Sequence, residues 1–229
     1  MSAMTVSARG LAKRYGKTFA VDRIDFDIAP GRIVGLIGPN GSGKTTTLKA
    51  MLGLIDFEGE LKVLGYDPRT QRDALMKDVC FIADVAVLPR WISVAQAIEF
   101  VAGVHILYRK QFYKDLLERY FDEEKTIIVT THQVEEIEHI LTDLVFIRDG
   151  KLALKATMDE VGDRFAEVMV GSDKAEAARA LKPIDERAVF GKTVFLFDGQ
   201  PRTTLAELGE LRTPGVADLF VATMKGTYA

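Results

Sequence analysis

Arg32-Ile33-Val34-Gly35-Leu36-Ile37-Gly38-Pro39-Asn40-Gly41-Ser42-Gly43-Lys44-Thr45-Thr46 runs from a short apolar stretch into a glycine-rich bend. Residues 32–37 suit a strand buried on both faces. From Thr45 onward, Leu48, Met51 and Leu52 fall at helical spacing, so the bend joins a strand to a helix. Gly38 to Thr45 satisfies G-x-x-x-x-G-K-[ST] at every position. Glycines there let successive backbone N–H groups turn inward on phosphate oxygens, and the helix N-terminus reinforces the nest. Lys44 adds a point charge for the β- and γ-phosphates, and the Thr45 hydroxyl can ligate Mg²⁺. The bland alternative is a glycine-rich turn with no ligand. Motif and context together favour a nucleoside triphosphate site.

The flanking sequence reads as alternating strands and helices. Ile24-Asp25-Phe26-Asp27-Ile28 alternates apolar and polar residues, and Ala29-Pro30-Gly31 supplies a turn. A second buried strand is expected over Val79–Ala83, with Cys80 buried in it. Ser93 suits an N-cap for a helix through Ala95, Ile98 and Val101, and 111–120 reads as a further helix. The β-branched run Thr126-Ile127-Ile128-Val129-Thr130 predicts a third buried strand. A helix over about 134–141 follows, then a hairpin: Leu144 to Arg148, Asp149-Gly150, Lys151 to Leu154. Beyond about 159 the pattern changes to strands at 165–170 and 193–197 around an Ala-rich helix at 174–181. Helical patterns at 204–211 and 216–224 close the chain. No internal repeat or low-complexity segment is visible.

The 229 residues are 48% hydrophobic and 28% charged, the balance of an ordinary globular protein. Lys and Arg number 30 against 33 Asp and Glu, for a formal net charge of −3, which argues against non-specific nucleic-acid binding. A lone cysteine excludes an internal disulfide and suits a reducing cytosol. The start, MSAMTVSARGLAKRYG, lacks the apolar core of a signal peptide, and no run approaches the roughly 20 apolar residues of a membrane span.

Four features narrow the reading beyond a generic phosphate loop. The loop is spelled GPNGSGKTT, and Tyr15 lies upstream in a strand region. TIIVTTH ends an apolar strand at His132, and QVEEIEHILTDLVFIRDGKL follows. Together these resemble the ATP-binding cassette (ABC) family, the ATPase subunits of membrane transporters. LPRWISV (88–94) and VADLFVATMKG (216–226) look most like its export-type members. The resemblance implies an α/β P-loop NTPase fold, with an N-terminal antiparallel β-subdomain and a small C-terminal α+β appendage. It divides the chain into a cassette over 1–158 and an accessory domain over 159–229. Tyr15 would stack on adenine, because an aromatic face suits any flat base. His132 would contact the γ-phosphate or attacking water as a switch residue, with Lys44 as its catalytic companion. His105 and His139 lack such context and read as structural or solvated. ATP and Mg²⁺ are the implied cofactors. An integral membrane permease and a second cassette are the implied partners, no nucleic acid is involved, and the chain would sit at the cytoplasmic face of the membrane.

The sequence also departs from that pattern. Where the family has a glutamine after the second core strand, this chain has Asp84, a carboxylate that can still reach Mg²⁺ through water. The segment from Asp84 to Trp91 would face the permease; Trp91 suits a core position equally well. No LSGGQ-like loop is found, and no apolar strand ends in Asp-Glu, the Walker B element that carries the catalytic base. Asp122, Glu123 and Glu124 precede an apolar run instead of following it, so they read as a solvated loop. Several dozen family residues are missing, and the expected place is a break at 122–123. The missing Walker B strand is expected beside the phosphate-loop strand. Taken literally, the absence of a base supports a second class of function, a non-hydrolytic ATP-binding regulatory module. A DNA-repair cassette would need a coiled-coil insertion or basic face, and a small-molecule kinase is disfavoured by Tyr15 and His132.

Overall fold

A computed structural model describes residues 4–81, 121–122, 124–131, 134 and 137–225. Among these, the expected strand Ile33–Ile37 forms as β3, with all five residues buried. It is the centre of a four-stranded sheet in which β3 runs parallel to β5 (Ile127–Thr131) on one edge and to β6 (Asp143–Arg148) on the other. β7 (Lys151–Thr157) then pairs antiparallel with β6. The Asp149-Gly150 hairpin is as the sequence predicts, both residues taking the positive φ that a tight two-residue turn needs (50° and 77°).

Both edges of β3 are therefore occupied. This corrects the expectation that a Walker B strand belongs beside it: β5 holds that place, in register from Ile33–Ile127 to Ile37–Thr131. The side chains of Ile127 to Thr130 are half-buried instead of fully buried, since β5 is the outermost strand of this sheet among the described residues.

An antiparallel sheet of β1 (Val6–Tyr15), β2 (Thr18–Ile28) and β4 (Glu58–Val63) forms the N-terminal layer, with β1 in the middle. Alternation along β3 divides the interior. Val34 and Leu36 face one core with Val6, Leu11, Val21, Phe26 and Leu61, closed by Ala50 and Met51 of α1 (Lys44–Met51). Ile33 and Ile37 face a second core with Leu144, Phe146 and Leu154. Period-two alternation thus glues one strand to two different layers.

Past β7 come α3 (Met158–Arg164), after the short α2 (Arg72–Leu75), and a second antiparallel sheet. Its order is β11-β8-β10-β9, with β8 at Phe165–Val170, β9 at Asp185–Val189, β10 at Lys192–Asp198 and β11 at Glu210–Arg212. Helices α4 (Ala175–Ala180), α5 (Arg202–Ala206) and α6 (Val216–Lys225) complete an α+β segment. The 204–211 stretch is not one helix, because its second half pairs with β8 as β11. α6 packs back onto the central sheet: Val216, Leu219 and Ala222 share the second core with Phe146, whose ring meets Phe220 edge-on at 5.5 Å. Glu138, in the 3-10 turn Glu138–Ile140 after β5, accepts the Val216 N–H at 2.9 Å and caps α6. On the other side of α6, buried Glu167 bonds Arg187 and Arg212, and Arg187 also pairs with Asp218. Burial pushes the Glu167 carboxyl up, against the pull of Arg212 and Arg187.

Val79, Cys80 and Phe81 form no strand, and Cys80 and Phe81 are exposed, which corrects the expected buried thiol. The remainder of that expected strand and the helices expected over 95–101 and 111–120 lie outside the described residues. No helix among the described residues is long and apolar enough to cross a membrane.

Entry into α3 is set by a capping box. The Thr157 hydroxyl accepts the Glu160 N–H at 3.0 Å, and the Glu160 carboxylate accepts the Thr157 N–H at 2.7 Å. Thr157→Ala is expected to lower stability by about 1 kcal/mol in urea denaturation, the usual cost of losing such a cap.

Candidate functional site

The loop between β3 and α1 leaves the sheet at its carboxyl end, where ligands of open α/β sheets bind. Its backbone is tightly boxed. A Cβ on Gly38 would lie 2.3 Å from the Ile147 carbonyl oxygen, and one on Gly43 would lie 2.3 Å from the Ala20 carbonyl oxygen. Gly43 also has φ at 112°, which an L side chain rarely adopts, so the first residue before α1 has to be glycine. The Ser42 N–H donates to the Pro39 carbonyl at 3.1 Å, and the Ser42 carbonyl accepts the Gly150 N–H at 2.9 Å. Asp22 in turn donates its N–H to the Gly150 carbonyl at 2.8 Å. The loop is thus held between β2 and the tip of the β6–β7 hairpin.

Gly38, Ser42 and Gly43 are buried, Lys44 and Thr46 are half-buried, and Pro39, Asn40, Gly41 and Thr45 are exposed. Lys44 curls back to donate to the Gly38 and Pro39 carbonyls at 2.6 and 3.0 Å. Burial lowers its ammonium below the ordinary lysine value. A phosphate beside it would favour the charged form. The Ser42 hydroxyl is buried and has no hydrogen-bond partner among the described residues. A buried orphan hydroxyl, a lysine short of counter-charge and a glycine cradle all suit a polyphosphate.

Tyr15 is 52% exposed and pairs with Thr18 across the β1–β2 turn. Thr18 lies two strand residues, or about 7 Å, from Ala20, and Ala20 is where β2 meets Gly43. The ring has the Lys13 ammonium over it, 5.3 Å from its centroid. Thr45 is exposed in the first turn of α1. His132, Asp84 and the Asp84–Trp91 segment lie outside the described residues, as does His105; His139 is exposed, as expected. No cluster of three or more His, Cys, Asp or Glu able to hold a metal exists among the described residues. The contacts missed from sequence are Asp22, Ile147 and Gly150, whose only signal was a hairpin dipeptide.

The sequence model of the ABC transporter family matches residues 21–177. The chain belongs to this family. Family members hydrolyse ATP. The Nod factor export ATP-binding protein I of Cupriavidus metallidurans is 27% identical over 267 residues, covering 87% of this chain and 88% of that protein. The fructose import ATP-binding protein FrcA of Rhizobium meliloti is 49% identical over 61 residues, 26% of this chain and 24% of its own length. A solved ATP-binding subunit of an ABC transporter superposes with a TM-score of 0.51 at 16% identity, covering 70% of this chain and 92% of that one, which shows the shared fold.

The Nod factor alignment, at 267 residues, is longer than this whole ABC chain of 229, so that relative carries a stretch with no counterpart here. The Asp122 carbonyl accepts the Lys125 N–H at 3.1 Å, and the Asp122 carboxylate accepts the Glu124 and Lys125 amides at 3.1 and 3.0 Å. Asp122 and Glu124 are exposed, in keeping with a solvated loop.

Tyr15→Ala is expected to weaken ATP by roughly 1–3 kcal/mol, the range for base–aromatic stacking, while Tyr15→Trp is tolerated. Titration calorimetry checks both, and unchanged affinity in the alanine variant returns Tyr15 to a merely exposed strand-end residue.

Proposed function

We propose that this chain is the ATP-binding subunit of a membrane transporter that hydrolyses ATP to drive a separate permease. The geometry of Gly38–Thr45 carries the reading: a glycine cradle with no room for a side chain at Gly38 or Gly43, a Ser42 hydroxyl unpartnered among the described residues and a desolvated Lys44. In this reading the loop amides and Lys44 bind the phosphates and Tyr15 takes the adenine. Mg²⁺ arrives with the triphosphate and uses the Thr45 hydroxyl, because hard cations take oxygen ligands and the phosphates supply most of them. Water is the nucleophile, and charge that develops on the transferred phosphoryl group meets donors already in place. His132 senses the γ-phosphate and Asp84 reaches Mg²⁺ through water.

Two such subunits would pair around two nucleotides, and residues 84–91 would meet the permease at the cytoplasmic face of the membrane. The cassette would span 1–158 and the accessory segment 159–229. Both an import and an export protein are among the relatives. We favour export, since the export relative aligns along 87% of this chain whereas the import relative aligns along 26%.

One observation favours a second reading, a module that binds ATP without hydrolysing it. The sequence has a phosphate loop but no apolar strand that ends in Asp-Glu, the element that would carry the base. Two measurements separate the readings. Calorimetry should show ATP binding that Lys44→Ala abolishes while leaving the circular dichroism spectrum unchanged; normal affinity in that variant contradicts the site. Phosphate release with Mg²⁺ should then exceed background and fall to it in His132→Ala with ATP binding kept. Tight binding with no turnover in the wild type selects the second reading.

A further inference from the structure

The Asp149-Gly150 hairpin does more than reverse the chain. Gly150 touches two elements far from it in sequence. Its N–H holds the Ser42 carbonyl at 2.9 Å, and its own carbonyl accepts the Asp22 N–H of β2 at 2.8 Å. Its α-carbon passes so close to β2 that an added Cβ would lie 3.2 Å from both the carbonyl carbon and oxygen of Ala20, and 3.4 Å from the Asp22 nitrogen. The same Ala20 carbonyl is the atom that Gly43 approaches on the other side.

A planar trans peptide places its C=O and N–H in opposite directions. Tying the Ser42 carbonyl outward to Gly150 therefore turns the Gly43 N–H the other way, toward the phosphate side of the loop. We propose that Gly150 is a positioning residue for triphosphate binding: the hairpin tip, anchored on β2, sets the orientation of the Ser42–Gly43 peptide. This rests on the loop being a triphosphate site. A side chain at position 150 would push the tip off β2, lengthen the bond to Ser42 and release that peptide plane.

The molecule contains a matched control. Gly191, in the turn between β9 and β10, has φ of 78° against 77° at Gly150, but an added Cβ there meets nothing within 4 Å. Alanine at either position bears the same backbone strain, and only at 150 does it crowd β2. The experiment measures the affinity of the full chain for MgATP and for inorganic pyrophosphate by calorimetry, with a thermal melt of each variant. Gly150→Ala should weaken both ligands by about tenfold, on the scale of other misplaced binding groups. Equal loss for pyrophosphate places the effect at the phosphate loop and not at the adenine. Gly191→Ala should lower the melting temperature comparably and keep both affinities. Gly150→Asn tolerates the left-handed backbone yet still carries a Cβ, so it should lose affinity with a smaller change in melting; it is the test if Gly150→Ala does not fold. Wild-type affinity in either folded Gly150 variant, or an equal loss in Gly191→Ala, overturns the proposal. A wild type that binds neither ligand overturns the nucleotide site itself, and this inference with it.

Discussion

β3 is hydrogen-bonded along both edges and buried on both faces, so its carboxyl end can move in no direction. Everything about the phosphate loop follows from that immobility. The chain leaves β3 at Gly38, passes against the Ile147 carbonyl, and enters α1 after Gly43 has passed against Ala20. A side chain at either glycine would meet backbone, which cannot rotate away. The path of the loop backbone is thus set by the fold, and electrostatic binding draws its strength from such preorganisation.

The same strand explains how the C-terminal segment relates to the nucleotide site. One face of β3 joins the N-terminal sheet and α1, and the other joins a core shared with α6. That second core runs on through Val161, Phe165 and Leu196, so the C-terminal α+β segment is packed to the central sheet by apolar burial. Polar contacts sharpen the docking. Glu138 caps α6 at one end, and the charged group of Glu167, Arg187, Arg212 and Asp218 fixes its flank. Buried charge pairs contribute little net stability but strongly penalise a misplaced partner, which suits a contact that has to be made one way.

The place of β5 changes the physical account of the shortened chain. A strand removed from between two others would leave two unpaired edges inside a sheet, each unmade hydrogen bond costing about 1–3 kcal/mol. Here β3 has both neighbours, in register, without the Walker B strand. The loop, its flanking strands and α1 therefore form a self-consistent unit.

Local chemistry was enough to read the phosphate loop, the hairpin at Asp149-Gly150 and the strands at β3, β5, β8 and β10. Each depends on a short-range rule: glycine where φ is positive, β-branched runs for buried strands, alternation for half-buried ones. Lys44 could be named from motif spacing, whereas Tyr15 was named only through the family resemblance. Val79–Phe81 misled because an apolar run has the same composition whether or not a neighbouring strand pairs with it. The segment at 210–212 misled because pairing with β8 overrode a helical pattern. The order of strands around β3, the seat of α6 and the tie between Gly150 and Ser42 belong to tertiary structure alone. They are contacts between residues far apart in the chain, which no local propensity encodes; they exist because burying two faces of one strand left a single compatible packing.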